Sequence, residues 1–176
     1  MTGVQTCALP ISPDGRFITF AAGSPIKVMV VPASGGQPRE LTPNGGDYPQ
    51  WSPDGRWIAY SVWTQDSDPD QGAWVVEVDG GTPLRIGREA TRMVWSLDGA
   101  FLWQLRRAGD SIELWETGTG VWNWRRRSIL DLGRPAVSHL EHLPLTVNPA
   151  TGELVMNRRT NLASLLVFEG VDPARW

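Results

Sequence analysis

The sequence predicts an all-β fold, a β-propeller fragment of about three and a half four-stranded antiparallel blades, and three observations carry that prediction. The first is a ten-residue word, Trp51-Ser52-Pro53-Asp54-Gly55-Arg56-Trp57-Ile58-Ala59-Tyr60, which reads as strand, tight turn, strand. Pro53 presets φ for the second position of a turn, Asp54 can hydrogen-bond backbone two residues on, and Gly55 accepts the positive φ that reverses the chain. The second is recurrence. The word returns as Ser12-Pro13-Asp14-Gly15-Arg16-Phe17, as Trp95-Ser96-Leu97-Asp98-Gly99-Ala100-Phe101, and more faintly as Val147-Asn148-Pro149-Ala150-Thr151-Gly152-Glu153-Leu154 with one extra turn residue. Taking Ser12, Ser52, Ser96 and Asn148 as equivalent, the spacings are 40, 44 and 52 residues. A period in the forties built of short strands is that of a propeller blade. The third is composition: ten Trp in 176 residues supply large flat side chains for the wedge between neighbouring blades.

Each blade can be read in order. The first covers about residues 12–42, with strands at 16–21, 26–31 and 37–42; Pro38 is tolerated because the last is an edge strand. The second, residues 43–87, is complete, with strands at 48–51, 57–62, 73–78 and 82–86. Gly80-Gly81 closes its outer hairpin as Gly35-Gly36 does in the first blade. The third, residues 88–130, has strands at 91–95, 101–105, 111–116 and 121–125. A long connection leads to a fourth, residues 135–170, with strands at 144–147, 153–157 and 162–168 and no outermost strand.

From Ser12 to about Phe168 the chain resembles the WD40-like (PD40) repeat of TolB-type propellers, whose signature is aromatic-Ser-Pro-Asp-Gly-basic-aromatic followed by two more strands. Two copies are near-perfect; the third has Leu97 for Pro and Ala100 for the basic residue. The ending from Asn157 to Gly170 is similar to the C-terminal blade of such propellers, where the outermost strand is normally supplied by the start of the chain. Residues 1–11 resemble the conceptual translation of a sequencing-library adapter. They are expected to lie outside the fold, with Cys7, the only cysteine, not biological and the true chain beginning upstream. The alternative is that Leu9 to Ile11 form the strand preceding Ser12.

Charge and motifs narrow the function. A net charge of −3 and a pI near 5.4 argue against a nucleic-acid surface, and no run of about 18 apolar residues forms a transmembrane segment. Ser12, Ser52 and Ser96 belong to the turn word, and no Gly-x-Ser-x-Gly elbow is present, so no catalytic residue is assigned and no enzymatic activity is expected. The residues singled out are those of the turns: Ser12, Pro13, Asp14, Gly15, Ser52, Pro53, Asp54, Gly55, Asp98 and Gly99. Asp66, Asp68 and Asp70, with Glu77, stand at positions 1, 3, 5 and 12 of a calcium loop, but Gln71 replaces its glycine. The expected reading is a solvated hairpin loop with no metal. His139 and His142 flank Glu141 on a loop, a spacing that does not put both rings on one face of a strand. Residues 89–176 hold ten basic and ten acidic groups, so Arg125-Arg126-Arg127 reads as protection of an outer edge. Trp122 and Trp124 read as packing against the neighbouring blade.

The resemblance implies a non-enzymatic scaffold whose loop face takes a protein or a small ligand, without a cofactor, and a periplasmic or otherwise extracytoplasmic setting. It would be either an envelope protein or the sensor half of a regulator or kinase. The alternative is the propeller accessory domain of a prolyl-oligopeptidase-like serine hydrolase. Open blade edges are expected to attract partners or copies of the chain.

Overall fold

The structure, a computed structural model, describes residues 10–64, 68–109, 111–130, 145–158 and 164–167. Every described element is a strand, and the strands form four antiparallel sheets in chain order. The first sheet holds β1 (Phe17–Ala22), β2 (Lys27–Pro32) and β3 (Arg39–Glu40). The second holds β4 (Asp47–Trp51), β5 (Trp57–Val62), β6 (Gly72–Glu77) and β7 (Leu84–Gly87). The third holds β8 (Met93–Trp95), β9 (Phe101–Ala108), β10 (Ser111–Gly118) and β11 (Arg125–Leu130). The fourth holds β12 (Leu145–Val147), β13 (Leu154–Arg158) and β14 (Ser164–Val167). Within each sheet every strand pairs with the next in sequence, and between sheets β1 contacts β4, β4 contacts β8, and β8 contacts β12. The innermost strands therefore lie side by side, the arrangement of consecutive blades in a β-propeller.

The turn word explains why the hairpins are so regular. In the second blade the Ser52 hydroxyl donates to Asp54 Oδ1 (2.5 Å) and accepts from the Trp57 N–H (2.9 Å). The same Asp54 oxygen accepts from the Arg56 N–H (3.0 Å), and the Gly55 N–H reaches the Ser52 carbonyl (2.9 Å). The Ser12 and Ser96 turns repeat this pattern to within about 0.2 Å. Gly15, Gly55 and Gly99 sit at φ of 72°, 73° and 71°, where an L side chain is strained. In the fourth blade Asn148 does both jobs in part: its Oδ1 accepts from the Ala150 N–H, and its carbonyl accepts from the Gly152 N–H.

Successive blades are joined by apolar packing and by indole hydrogen bonds. Ile58, Leu102 and Leu154 occupy the same repeat position, and each is fully buried against the preceding blade. Burial of a side chain of that size contributes about 1.5–3 kcal/mol. Trp51 Nε1 donates to the Pro10 carbonyl and Trp95 Nε1 to the Gln50 carbonyl, both at 3.1 Å. The acceptors lie one repeat apart, so one joint is built twice. Ile11 forms a bridge with Ile18, and the Thr19 N–H reaches the Pro10 carbonyl. Pro10 and Ile11 thus occupy the innermost-strand position of the first blade.

Two outer strands depart from expectation. In the first blade β3 is two residues long: the Leu41 N–H still reaches the Val28 carbonyl (2.9 Å), but the Val28 N–H donates to the Thr42 hydroxyl (3.0 Å) and the ladder goes no further. In the third blade the outer strand is Arg125–Leu130, not 121–125. The Val121 and Trp122 N–H groups close a turn on the Gly118 carbonyl, and Trp122 is left-handed at φ 52°. Trp122 and Trp124 leave the sheet to pack on the second blade. The Trp122 ring stands edge-on to Trp57 (centroids 5.6 Å) and to Trp95 (6.2 Å), and Trp124 Nε1 donates to the Ile86 carbonyl at 2.7 Å.

Two substitutions test this account in thermal or denaturant unfolding. Ser52→Ala removes a buried hydroxyl that serves two partners and is expected to destabilise the protein by about 1–2 kcal/mol. Gly72→Ala places a Cβ against the Gly87 carbonyl at a φ of 141° and is expected to cost about 2 kcal/mol or more. A Gly72→Ala protein as stable as the parent would show that the β6–β7 approach is looser than described.

Candidate functional site

The antiparallel meander sends alternate connections to opposite ends of each sheet. One end carries the Ser-Asp-Gly turns, the other the links between blades and the loops between second and third strands. The two ends differ in chemistry.

At the turn end the residues predicted from sequence come together in a stack. A Cβ at Gly55 would lie 3.8 Å from the Pro13 ring, one at Gly99 3.4 Å from Pro53, and one at Gly152 3.9 Å from Leu97. Each turn therefore rests the second residue of its word against the glycine of the next. Between the first two turns lies a cavity of about 180 Å³, below the range of small-molecule sites. Arg16 spans its rim in an exposed 2.9 Å ion pair with Asp14. The Ser12 hydroxyl hydrogen bond, helped by the Arg16 N–H, holds the Asp14 carboxyl below the usual range, and Ser96 does the same for Asp98. At Asp54 partial burial pulls the other way but is outweighed by Ser52 and the Arg56 N–H. These serines donate hydrogen bonds to carboxylates and accept from backbone N–H groups, so their chemistry is spent on the turns.

The connection end carries a larger feature that sequence reasoning missed. A groove of about 410 Å³ runs between the first two blades, within the size range of ligand sites. Ile26 and Trp63, 52% and 39% exposed, stand on its apolar walls; Asn44, Asp47, Ser61 and Thr64 place polar groups along it. Tyr48 is held with φ at 52°, rare for an aromatic residue and a form of backbone strain that gathers at functional sites. The strain is supported on three sides. The Asp47 carboxylate accepts from the Tyr48 N–H (2.7 Å), the Trp63 ring meets Tyr48 edge-on at 6.2 Å, and the Arg92 guanidinium lies 4.1 Å over its ring. Beneath, the Tyr60 hydroxyl donates to Asn44 Oδ1 (3.0 Å), and burial pushes the Tyr60 pKa up, so that it stays a donor. Asn44 Nδ2 and Arg92 Nε are buried without a partner among the described residues. The one signal in the sequence was Asn44-Gly45-Gly46-Asp47 ahead of the inner strand, a linker whose glycines let Tyr48 turn back.

The remaining sequence candidates are accounted for differently. Asp66, His139, Glu141 and His142 lie outside the described residues. Asp68 caps its own turn by accepting from the Asp70 N–H (2.8 Å), and the Asp70 carbonyl accepts from Trp74 Nε1 (2.8 Å). Glu77 ends β6, about 16 Å of strand beyond Gly72, and cannot join that turn. Among the described residues no three His, Cys, Asp or Glu side chains gather to hold a metal. The arginine run is not free edge charge. Arg125 and Arg127 reach buried Glu116 at 3.1 and 2.7 Å, Trp103 Nε1 donates to the same carboxylate, and Arg126 pairs with Glu113 at 2.6 Å. The register of β10 against β11 sets Glu116 opposite Arg125, a pairing invisible while the outer strand is placed at 121–125.

The chain matches no family model and no curated protein sequence. Solved structures show the likeness of fold. A TolB protein of Agrobacterium tumefaciens is 22% identical with a TM-score of 0.57, over 69% of this chain and 48% of that one. TolB of Acinetobacter baumannii is 16% identical with a TM-score of 0.57, over 69% and 33%. Pyrococcus horikoshii acylaminoacyl peptidase is 11% identical with a TM-score of 0.58, over 92% and 30%. The matched part of this chain spans about half the length of the first of these and a third of the other two. The fold is that of β-propeller proteins resembling TolB.

Burial raises the Glu116 pKa, and the hydrogen bonds from Arg127, Trp103 and Arg125 outweigh it, leaving the group below the ordinary carboxylate value. The stability it contributes is present above the unfolded value, about pH 4.3, and is lost as pH falls through the folded one. Glu116→Gln is expected to lower stability by about 1–3 kcal/mol at pH 7, half-exposed Arg125 screening part of the loss. The difference from the parent should shrink below pH 4 in pH-dependent melts.

Proposed function

We propose that this protein is a non-enzymatic binding scaffold that presents the connection-face groove between its first two blades to a protein segment or small ligand. The observation that carries the reading is the pairing of exposed Trp63 and Ile26 with strained, cation-backed Tyr48 in one groove of ligand size. Rigid aromatic side chains bury much area at low entropic cost, which is why they anchor binding sites. The likeness to TolB structures supports a scaffold role and is the ground for proposing an extracytoplasmic setting. A second reading, a propeller accessory to a serine hydrolase, draws on the likeness to acylaminoacyl peptidase. In that role the groove would face substrate on its way to a catalytic domain.

A fragment and random-peptide screen read by the indole N–H resonances tests the proposal. Binders are expected to move the Trp63 signal and to lose at least tenfold in affinity with Trp63→Ala, which leaves the blade cores intact. Binders that cluster at the turn end and ignore Trp63→Ala would overturn it, as would turnover of chromogenic ester or peptide substrates by the purified chain.

A further inference from the structure

The groove between the first two blades has an uneven store of hydrogen-bonding groups. Many of its donors are spent within the chain. The Tyr48 N–H reaches the Asp47 carboxylate (2.7 Å), the Gly46 N–H the Ile26 carbonyl (3.0 Å), and the Ser61 hydroxyl the Thr91 carbonyl (2.6 Å). The Thr64 N–H donates to Gln71 Oε1 at 2.7 Å, and Asn44 Oδ1 is taken by the Tyr60 hydroxyl. Two side-chain donors are left over. Asn44 Nδ2 is buried without a partner, and Trp63 Nε1 makes no hydrogen bond among the described residues. A buried donor without an acceptor costs free energy, and a ligand that brings acceptors recovers it.

The walls are apolar and aromatic. The Trp63 and Tyr48 rings stand at 79° with centroids 6.2 Å apart, and Pro25 and Ile26 line the same groove. A peptide N–H laid on such walls is desolvated without a partner. Proline avoids that cost, because it has no N–H and keeps its carbonyl. Proline-rich segments dock in aromatic-lined grooves as a polyproline II helix that is formed before binding, so little entropy is lost. Addition of a strand to a sheet edge needs a row of unpaired main-chain groups, and this groove crosses strand ends instead. Charge adds a second constraint. Asp47 is the only ionised side chain among the described residues lining the groove, and no ion pair of the described residues includes it.

We propose that the groove takes a proline-rich segment of a partner protein in the polyproline II conformation, with an arginine or lysine beside the prolines to meet Asp47. The proposal rests on the groove being the binding site. Proline rings pack on Trp63 and Ile26, proline carbonyls accept from Asn44 Nδ2 and Trp63 Nε1, and the basic residue sets the direction of the segment.

Fluorescein-labelled peptides titrated with the full chain test this, with anisotropy giving affinity and the indole N–H resonances giving location. An arginine followed by a run of prolines is expected to bind and to move the Trp63 signal. The same arginine followed by alternating glycine and serine should not bind, and a glutamate-led proline peptide should bind more weakly. Asp47→Asn keeps an acceptor for the Tyr48 N–H and is expected to weaken the arginine-led peptide about two- to fivefold, leaving an uncharged proline peptide unaffected. Trp63→Phe keeps an aromatic wall, removes the donor, and is expected to cost about two- to tenfold. Equal binding of the glycine–serine peptide would overturn the proposal, since charge alone would then suffice, as would proline binding that leaves Trp63 unmoved. Other peptides or neutral oligosaccharides that move Trp63 where proline peptides do not would overturn this inference and leave the groove as the binding site. If no ligand of any class moves Trp63, both readings fall.

Discussion

A serine hydroxyl that gives one hydrogen bond and takes another closes each of the first three inner hairpins, and the arrangement of blades depends on it. The hydroxyl fixes the aspartate, the aspartate fixes the backbone two residues on, and the glycine can then turn through a left-handed conformation without a penalty. Once the turn is set, register follows, and register decides which residues face the blade behind and which face the blade ahead. Ile58 and Leu102 are buried in equivalent places because Ser52 and Ser96 are bonded in equivalent ways. The stacking of Pro13 on Gly55 and Pro53 on Gly99 carries the same regularity from one blade to its neighbour.

The fold was legible in the sequence because its information is local. Proline, aspartate and glycine at fixed offsets report a turn wherever the chain is read, and β-branched and aromatic runs beside them report strands. Where the signal was weaker, the reading slipped. Trp122 and Trp124 pack across a joint, as their alternation with polar residues suggested, but they do so from a turn outside the sheet, and the outer strand is the arginine run, not 121–125. Only the pairing of β11 with β10 shows that Glu116 and Glu113 take up those charges, and cross-strand pairing is a long-range fact that no local pattern holds.

The groove was illegible for the same reason. Ile26, Tyr48 and Trp63 are brought together by the way two blades meet, and Arg92 reaches Tyr48 from the link into the third. None carries a motif, and Tyr48 reads as an ordinary strand residue until its φ of 52° is known. The turn residues, conspicuous in the sequence, spend their hydrogen bonds on one another. The groove residues, inconspicuous, keep exposed aromatic surface and buried donors without partners among the described residues. Conspicuous sequence here marks architecture, and the candidate for recognition lies where architecture leaves a gap.

The indole bonds between blades reach main-chain carbonyls, of Pro10 and of Gln50. A main-chain acceptor is supplied by any amino acid, so the donor blade makes no demand on the side chain of the blade it follows. A segment of about one repeat length copied within a gene would arrive with its own donor and find its acceptor already there. Such a joint lets a lineage lengthen or shorten its arc by duplication or deletion before any compensating substitution appears, while the loops on the opposite end diverge.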